Sequence, residues 1–488
     1  MDVSRLKKDV QAGVVTVEAL LEIVIEQRET IRRLERHIER LEARLARYET
    51  PPPRQDGSDA GSRSPGDYGL EREERRRRRA KPRGSTGRRP HDEKLPEAMR
   101  HEDVLPDGAA SEQCVLARTR VAWRIEDGVA VRVAYRVHKR KFGNDAPAVP
   151  GLLPHGEHGV EIIVLVAFLL YIVRVSLDQA CLLLQFFCRL PLRKSQANAL
   201  LDQLGRRWQG DFDALCELMS HAAIVYLDET GWKISDEGCS LWAFQSSLHT
   251  VLKFGCRKDA KTLEEMLPRE LFRGTAVSDD ATIYQRRFDQ AQKCWAHLLR
   301  KAIRLALQYP EKRQYQQMLD ELLALYREAK RSASDGRLSA EGRARRVEQL
   351  HGRVWDVCEP HRRIWQSPRS PDAQDFSNLV YELFRLVAAD ELFTFVRDPA
   401  VEPTNNVSER LLRGPALDRK TGRTSKTAAG AHRRSVIMSV LESLRKNLTS
   451  FTLESVVQEV VRWTERGVSL FGEQLQQLRL RLAAIDSS

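Results

Sequence analysis

Nine residues constrain the fold of this chain more than any others: Ile224-Val225-Tyr226-Leu227-Asp228-Glu229-Thr230-Gly231-Trp232. A β-branched and aromatic run that rises from a polar region predicts a buried strand, and the Thr230-Gly231 pair predicts its stop. Asp228 then stands at the carboxyl end of the strand, where a carboxylate can reach solvent or a metal. The device recurs in Gly274-Thr275-Ala276-Val277-Ser278-Asp279-Asp280.

The pattern around these runs reads strand (222–227), strand (240–247), strand (250–257), helix (259–267), strand (274–278). Three strands, a helix and a further strand is the order of a ribonuclease-H-like core. From Leu298 to about Phe395 the signal is almost entirely helical, with charged faces and Leu/Val/Trp stripes. A helical block of that length between the second aspartate and the next acidic motif, Pro403-Thr404-Asn405-Asn406-Val407-Ser408-Glu409-Arg410, reads as an insertion into the core. The expected fold class is α+β and multidomain: an N-terminal coiled coil, a small β unit, a helical DNA-binding region, and a ribonuclease-H-like α/β core interrupted by a large helical insertion.

Ahead of the core, residues 17–48 repeat in heptads. Val17, Val24, Ile31, Ile38 and Leu45 form one seam set; Leu20, Gln27, Leu34, Leu41 and Tyr48 form the other. Branched residues at the first set with mostly leucine at the second favour a parallel two-stranded coiled coil. Pro51-Pro52-Pro53 ends that helix. From 72 to 89 ten basic residues face two acidic ones, including the run Arg75, Arg76, Arg77, Arg78, Arg79. Such a stretch cannot bury a core and suits sequence-independent contact with DNA phosphates. Apolar and polar residues alternate over 115–140, predicting a small antiparallel unit with a turn at Asp127-Gly128. Residues 160–218 are helical. Ser176-Leu177-Asp178-Gln179 is a capping-box signature, and a second helix begins near Leu192-Arg193-Lys194-Ser195. Joined by Cys188-Arg189-Leu190-Pro191, this pair reads equally as a helix-turn-helix presenting Arg193 and Lys194 to DNA or as part of a packed bundle. The resulting division is 1–50 coiled coil, 51–95 basic linker, 96–150 β unit, 151–220 helical DNA-binding region and 221–297 first part of the core. The insertion occupies 298–395, the second part of the core 396–447, and C-terminal helices 448–488.

Composition narrows the partners. The chain has 488 residues and a formal charge of +12, which favours a polyanion, although 80 basic against 68 acidic residues make placement more telling than the sum. Eight cysteines are scattered without a C-x-x-C pair, so neither a disulfide framework nor a zinc ribbon is indicated. Glu18 and Glu22 break any signal-peptide core, and the apolar run 162–173 is too short to span a bilayer. A cytoplasmic, nucleoid-associated protein is expected.

Two strand-end aspartates and a helical glutamate could converge and hold divalent cations. Phosphodiester cleavage needs an activated oxygen nucleophile and charge neutralisation on both attacking and leaving oxygens; two cations roughly 3.5–4 Å apart do both. Hard Mg²⁺ prefers carboxylate oxygen, so Asp228, Asp279 and Glu409 suffice as its protein ligands. Asn406 is the expected N-cap of the helix carrying Glu409, and Glu229 and Asp280 are neighbouring decoys. Beyond Glu409, from 410 to 446, ten basic residues face two acidic ones. Arg410, Arg413, Arg419, Lys420, Arg423, Lys426, Arg433 and Arg434 suit a phosphate clamp, with Gly422 and Gly430 flanking Thr424-Ser425 in a loop. Cys294-Trp295-Ala296-His297 has the spacing of a metal half-site, but without a second pair it reads as structural rather than zinc-binding. Two roles stand open for His297: touching substrate phosphate or orienting a carboxylate, or a buried, hydrogen-bonded histidine.

Asp228-Glu229-Thr230-Gly231-Trp232, Ser278-Asp279, Cys294-Trp295-Ala296-His297 and Pro403-Thr404-Asn405-Asn406-x-x-Glu409-Arg410 together resemble the bacterial insertion sequence sixty-six family of DDE transposases, in order and spacing from about 150 to 465. The resemblance implies a transposase acting on terminal inverted repeats, with Asp228, Asp279 and Glu409 as metal triad and His297 as a support of the active site. It implies two Mg²⁺ (Mn²⁺ substituting), double-stranded DNA as partner and accessory proteins of the same element. Self-association through 17–48 agrees with the zipper-like N-terminus of that family. The family's paired cysteines ahead of the helical region are reduced here to Cys114, and His101 and His138 do not restore a four-ligand set, so no structural zinc is expected. The competing function is a catalytically inactive repressor that occupies element ends.

Overall fold

The computed structural model describes residues 97–144, 146–235, 237–362 and 370–486. The heptads of 17–48 and the arginines at 75–79 lie outside these residues. The described chain is mixed α/β, with fourteen α-helices and two mixed sheets among the described residues.

The first sheet is β1 (Arg100–Val104), β2 (Cys114–Glu126) and β3 (Val129–Arg140), in the order β1-β3-β2. β2 and β3 pair antiparallel around Asp127 and Gly128, whose φ values of 48° and 80° are what a two-residue hairpin turn demands. β1, which the alternation did not announce, adds parallel to β3. Ala122, Val133, Tyr135, Val137, Val149 and Leu152 give this sheet a core of its own. His138 is paired with Asp103 at 2.7 Å.

Four helices follow: α1 (Val160–Tyr171), α2 (Leu177–Cys188), α3 (Lys194–Arg207) and α4 (Gln209–Ser220). α1 is apolar nearly all round because it is buried nearly all round. No helix among the described residues is long and apolar enough to cross a membrane. Ser176 caps α2 in the reciprocal box, accepting from Gln179 N at 3.2 Å while the Gln179 side chain accepts from Ser176 N at 2.9 Å.

The second sheet is built from β4 (Ile224–Ile234), β5 (Glu237–Gln245), β6 (Thr250–Cys256), then after α5 (Ala260–Met266) β7 (Thr275–Ser278) and β8 (Gln290–Lys293). The order is β6-β5-β4-β7-β8; β4, β5 and β6 are antiparallel, and β7 and β8 run parallel to β4. Two features depart from the sequence reading. β4 does not stop at Thr230-Gly231 but runs on to Ile234, because β5 pairs with it throughout, Thr230 opposite Leu241 and Gly231 opposite Ser240. Only its β7 neighbour ends early, at Tyr226. β8 was not foreseen, since Gln290-Ala291-Gln292-Lys293 shows no apolar alternation. Its buried polar groups are matched instead: Gln292 donates to Leu392 O at 3.0 Å and accepts from Phe395 N at 3.1 Å, and Lys293 donates to Ser278 Oγ at 3.1 Å.

Successive side chains on a strand point to opposite faces. Val225, Leu227 and Ala276 therefore join one core with α1 to α4, while Tyr226 and Val277 join another. The second core is the helical insertion: α6 (Trp295–Gln308), α7 (Arg313–Ser334), α8 (Ala340–Cys358), α9 (Pro371–Ala388) and the short α10 (Thr394–Arg397). The chain returns as α11 (Asn406–Lys420), α12 (Ala428–Asn447), α13 (Leu453–Arg466) and α14 (Leu470–Asp486). Gly430 lies inside α12, so the basic loop spans only 421–427. α12 closes the β6 edge with a serine ladder. Ser435, Ser439 and Ser443 accept from Phe254 N, Leu252 N and Thr250 N, each at 2.9 Å. Four helical residues rise about 6 Å and two strand residues about 6.6 Å, so this spacing keeps step with every second edge N–H.

Candidate active site

The register brings the two aspartates together. Tyr226 is paired with Val277 in the parallel β4–β7 ladder, and Asp228 and Asp279 each stand two residues further on. Two residues restore the same face of the pleat, so both acids project on the side of the insertion, where β7 has ended and space opens beside β4. Asp228 is not at the end of its strand, as the sequence suggested, but at the end of its β7 neighbour, with the same consequence. Asp228 Oδ1 accepts from Glu229 N at 2.9 Å, and Asp279 Oδ1 accepts from Ala281 N at 3.0 Å.

Glu409 arrives on the first turn of α11. Asn405, not Asn406, occupies the cap position, and it makes no capping hydrogen bond. Its fully buried side chain is spent on the tertiary structure instead: Nδ2 donates to Leu227 O at 2.8 Å, and its backbone N–H points at Cys294 Sγ at 3.2 Å. This ties the start of α11 to the peptide just before Asp228 and to the start of α6. At the other end of α11, Arg419 Nη1 donates to Gly231 O at 2.6 Å; a Cβ at Gly231 would stand 2.9 Å from that nitrogen, so the glycine makes room for the tie.

The three acids feel one another. Burial first, then Asp279, Glu229 and Glu409, push the Asp228 carboxyl up to about 7. The decoys are accounted for. Glu229 accepts from the Tyr284 hydroxyl and pairs with Lys258, and Asp280 pairs with Arg385 of α9. Arg300 of α6 pairs with Glu409 at 2.8 Å. His297, also on α6, turns Nδ1 toward Glu409 Oε1 at 3.8 Å, too far for a hydrogen bond. Burial and Arg300 push its pKa below the ordinary value, against the pull of Asp279 and Glu409. Tyr284, Lys258 and Arg300 carry no motif, and only the assembled site reveals them; Asn405 lies in the motif around Glu409, but its bond to Leu227 O is visible only in the fold. A cavity of about 820 Å³ lined by Tyr226, His249 and Lys446 lies by the start of β4, and none of the three acids lines it.

A family model described as "Transposase IS66 family" matches residues 155–433, more than half of the chain. The chain belongs to this transposase family. No curated protein matches it. The matched span of the transposase contains Asp228, Asp279, His297 and Glu409, the whole second sheet and the insertion. A transposase acts on DNA, and the basic residues around the acids divide accordingly. Arg410, Arg413, Lys420, Arg423 and Lys426 are exposed around α11 and the loop after it, as are Arg193 and Lys194 at the start of α3. Lys194 is paired with Asp178 at 2.7 Å, and Arg423 donates to Arg174 O. Arg433 and Arg434, by contrast, are structural. Arg433 bonds Tyr171 Oη and Asp202, and Arg434 is buried against Asp418 with its guanidinium 4.9 Å from the Trp232 ring. Of the basic run beyond Glu409, Arg419, Arg433 and Arg434 are thus engaged within the fold.

Proposed function

We propose that this transposase cuts and joins DNA at the terminal inverted repeats of its element, using Asp228, Asp279 and Glu409 to hold two Mg²⁺, with Mn²⁺ able to substitute. The observation that carries this is geometric: the β4–β7 register sets Asp228 and Asp279 side by side, and Asn405 ties the start of α11, with Glu409 on its first turn, to Leu227 O; burial, then Asp279, Glu229 and Glu409, push the Asp228 carboxyl up to about 7. The donor set fits a hard dication: three carboxylates supply oxygen ligands, and a bound cation relieves the repulsion that their proximity creates. Bound Mg²⁺ would activate the attacking oxygen and neutralise charge on the leaving oxygen.

The remaining steps belong to the chain. Asn405 fixes where Glu409 enters, and Tyr284 and Lys258 hold Glu229 back from the site while leaving its charge beside Asp228. His297, partly exposed and on the α6 turn that faces Glu409, would meet a phosphate or orient Glu409. Arg410, Arg413, Lys420 and Arg423 border α11 and suit the phosphates of the DNA end; Arg419, tied to Gly231, serves to position α11. The strand order supports a ribonuclease-H-like core, with the insertion and α11 delivering the third acid. Pairing of two chains through residues 17–48 would place two such sites on two element ends.

The test is a gel assay on a labelled terminal repeat. Asp228→Asn, Asp279→Asn and Glu409→Gln should each remove cleavage, a loss of at least several kcal/mol in transition-state stabilisation, while end binding persists. Cleavage retained in all three variants refutes the triad. Tight binding with no cleavage by the unsubstituted protein favours the repressor.

A further inference from the structure

Cys294 and His297 look like half of a metal site in the sequence, and the fold supplies a third donor. Cys294 is the residue from which α6 starts, His297 lies one turn along, and Glu409 approaches from α11. One ligand atom from each, a thiol sulfur, an imidazole nitrogen and a carboxylate oxygen, lie within 4.8 Å of one another. We propose that Cys294, His297 and Glu409 form a binding site for a borderline-soft divalent cation of the Zn²⁺ class, and that an ion there withdraws Glu409 from the Mg²⁺ site and stops cleavage. The inhibitory half of this rests on the reading of Glu409 as a catalytic ligand; the binding half does not.

Three observations carry it. First, the donors are mixed S, N and O, a set that Zn²⁺ accepts and that hard Mg²⁺ disfavours. Second, His297 Nδ1 is buried without a hydrogen-bond partner, although Glu409 Oε1 is only 3.8 Å away. That gap is too long for a hydrogen bond. An ion with bonds of about 2.0–2.1 Å to nitrogen and to oxygen would span it with little movement. Third, the sulfur already has a supporting partner of the kind that orients a metal ligand: the backbone N–H of Asn405 points at Cys294 Sγ at 3.2 Å. On binding, the thiol proton passes to solvent and a water completes four-coordination, with no change of oxidation state. Arg300, which pairs with Glu409 in the metal-free arrangement, is more than half exposed and can swing away at small cost.

The full-length protein is titrated with Co²⁺ as a spectroscopic probe and then with Zn²⁺ to displace it. A thiolate-to-cobalt charge-transfer band is expected in the unsubstituted protein and in Cys181→Ser, a control on α2, and is lost in Cys294→Ala and Cys294→Ser. Loss of a direct ligand should weaken Zn²⁺ binding by more than the roughly 10–100-fold typical of outer-shell partners. A band that survives both Cys294 substitutions overturns the site. X-ray absorption of the Zn²⁺-loaded unsubstituted protein needs no variant: one sulfur at about 2.3 Å supports the site, and a shell of nitrogen and oxygen alone overturns it. In Mg²⁺-supported cleavage, Zn²⁺ should inhibit the unsubstituted protein at concentrations at least tenfold below those needed for Cys294→Ser; equal sensitivity overturns the inhibitory role. Sulfur-bound metal in a protein that never cleaves DNA supports the site and overturns the catalytic reading of Glu409 instead.

Discussion

Along β6, three serines of α12 each accept one edge N–H at 2.9 Å, whereas between β4 and β7 burial and the neighbouring acids together hold Asp228 up at about 7. Both regions bury polar groups against the same sheet. At the β6 edge each of the three serines is matched to one edge N–H in number and direction, so burial there costs little and blocks pairing with another strand. At β4 the charges are alike, and of the nearest bases Lys258 pairs with Glu229 and Arg300 with Glu409 rather than with either aspartate. Matched polar burial is how this chain builds structure. Mismatched polar burial marks where it keeps free energy in reserve for a ligand.

The sharpest break in this comparison is a substitution with opposite effects on activity and stability. Asp228→Asn should abolish cleavage and yet stabilise the metal-free protein. The carboxyl binds its proton more tightly in the folded chain, at about 7, than in the unfolded chain, at the ordinary value of 3.8. The stability that this confers is complete below pH 3.8 and is lost as pH rises through 7. The asparagine variant has no such loss, so its advantage should grow between pH 4 and pH 8 to at most about 4 kcal/mol. Urea midpoints of both proteins across that range, in chelator, check the sign. A variant less stable at pH 8 would show that Asp228 is structurally satisfied after all.

A similar pH response should come from Asp211 on α4, far from any proposed chemistry. Burial, opposed by a hydrogen bond from Ser469, raises its carboxyl to about 6. Its stabilising contribution is therefore present below pH 3.8 and lost by pH 7, on the order of 3 kcal/mol, and Asp211→Asn should remove that slope. Because Asp228, Asp279 and Glu409 are not among the groups that shift Asp211, Mg²⁺ should flatten the slope due to Asp228 and leave this one unchanged. Unfolding midpoints with and without Mg²⁺ separate the two.

At the β6 edge, Ser439→Ala should behave in the ordinary way. It strands Leu252 N in the interior and should cost about 1–3 kcal/mol, with no change in the Mg²⁺ requirement. The same measurement on Ser439→Thr, which restores the hydroxyl but adds a methyl to a packed interface, tells hydrogen bonding from volume.

The smallest expected effect is on metal affinity. A cation competes with the proton on Asp228, so Mg²⁺ binding should weaken as pH falls below about 7, by up to tenfold per pH unit, and level off above it. Calorimetry in buffers of different ionisation enthalpy should count close to one proton released at pH 6. No proton release would mean that Asp228 lies outside the first shell.

The linear order of residues was enough to announce the two aspartates on strand-like runs, the hairpin at Asp127-Gly128, the capping box at Ser176, the helical insertion, and the motifs that place the chain in its transposase family. Each of these rests on local periodicity or on residues near one another in sequence, where few competing arrangements exist. What the tertiary structure decided depends on neighbours remote along the chain. β4 passes its Gly231 stop because β5 continues to pair with it. β8 exists because Leu392 and Phe395 satisfy its glutamine. Asn405 gives up capping for a bond to Leu227, and Arg434 leaves the basic run to bury itself on Asp418. Glu409, 112 positions beyond His297 in the numbering, becomes its neighbour only once α11 docks on β4. Charge and hydrogen-bond matching act through space and have no period along the sequence, which is why the acids proposed for the site stand out in the sequence and their partners do not.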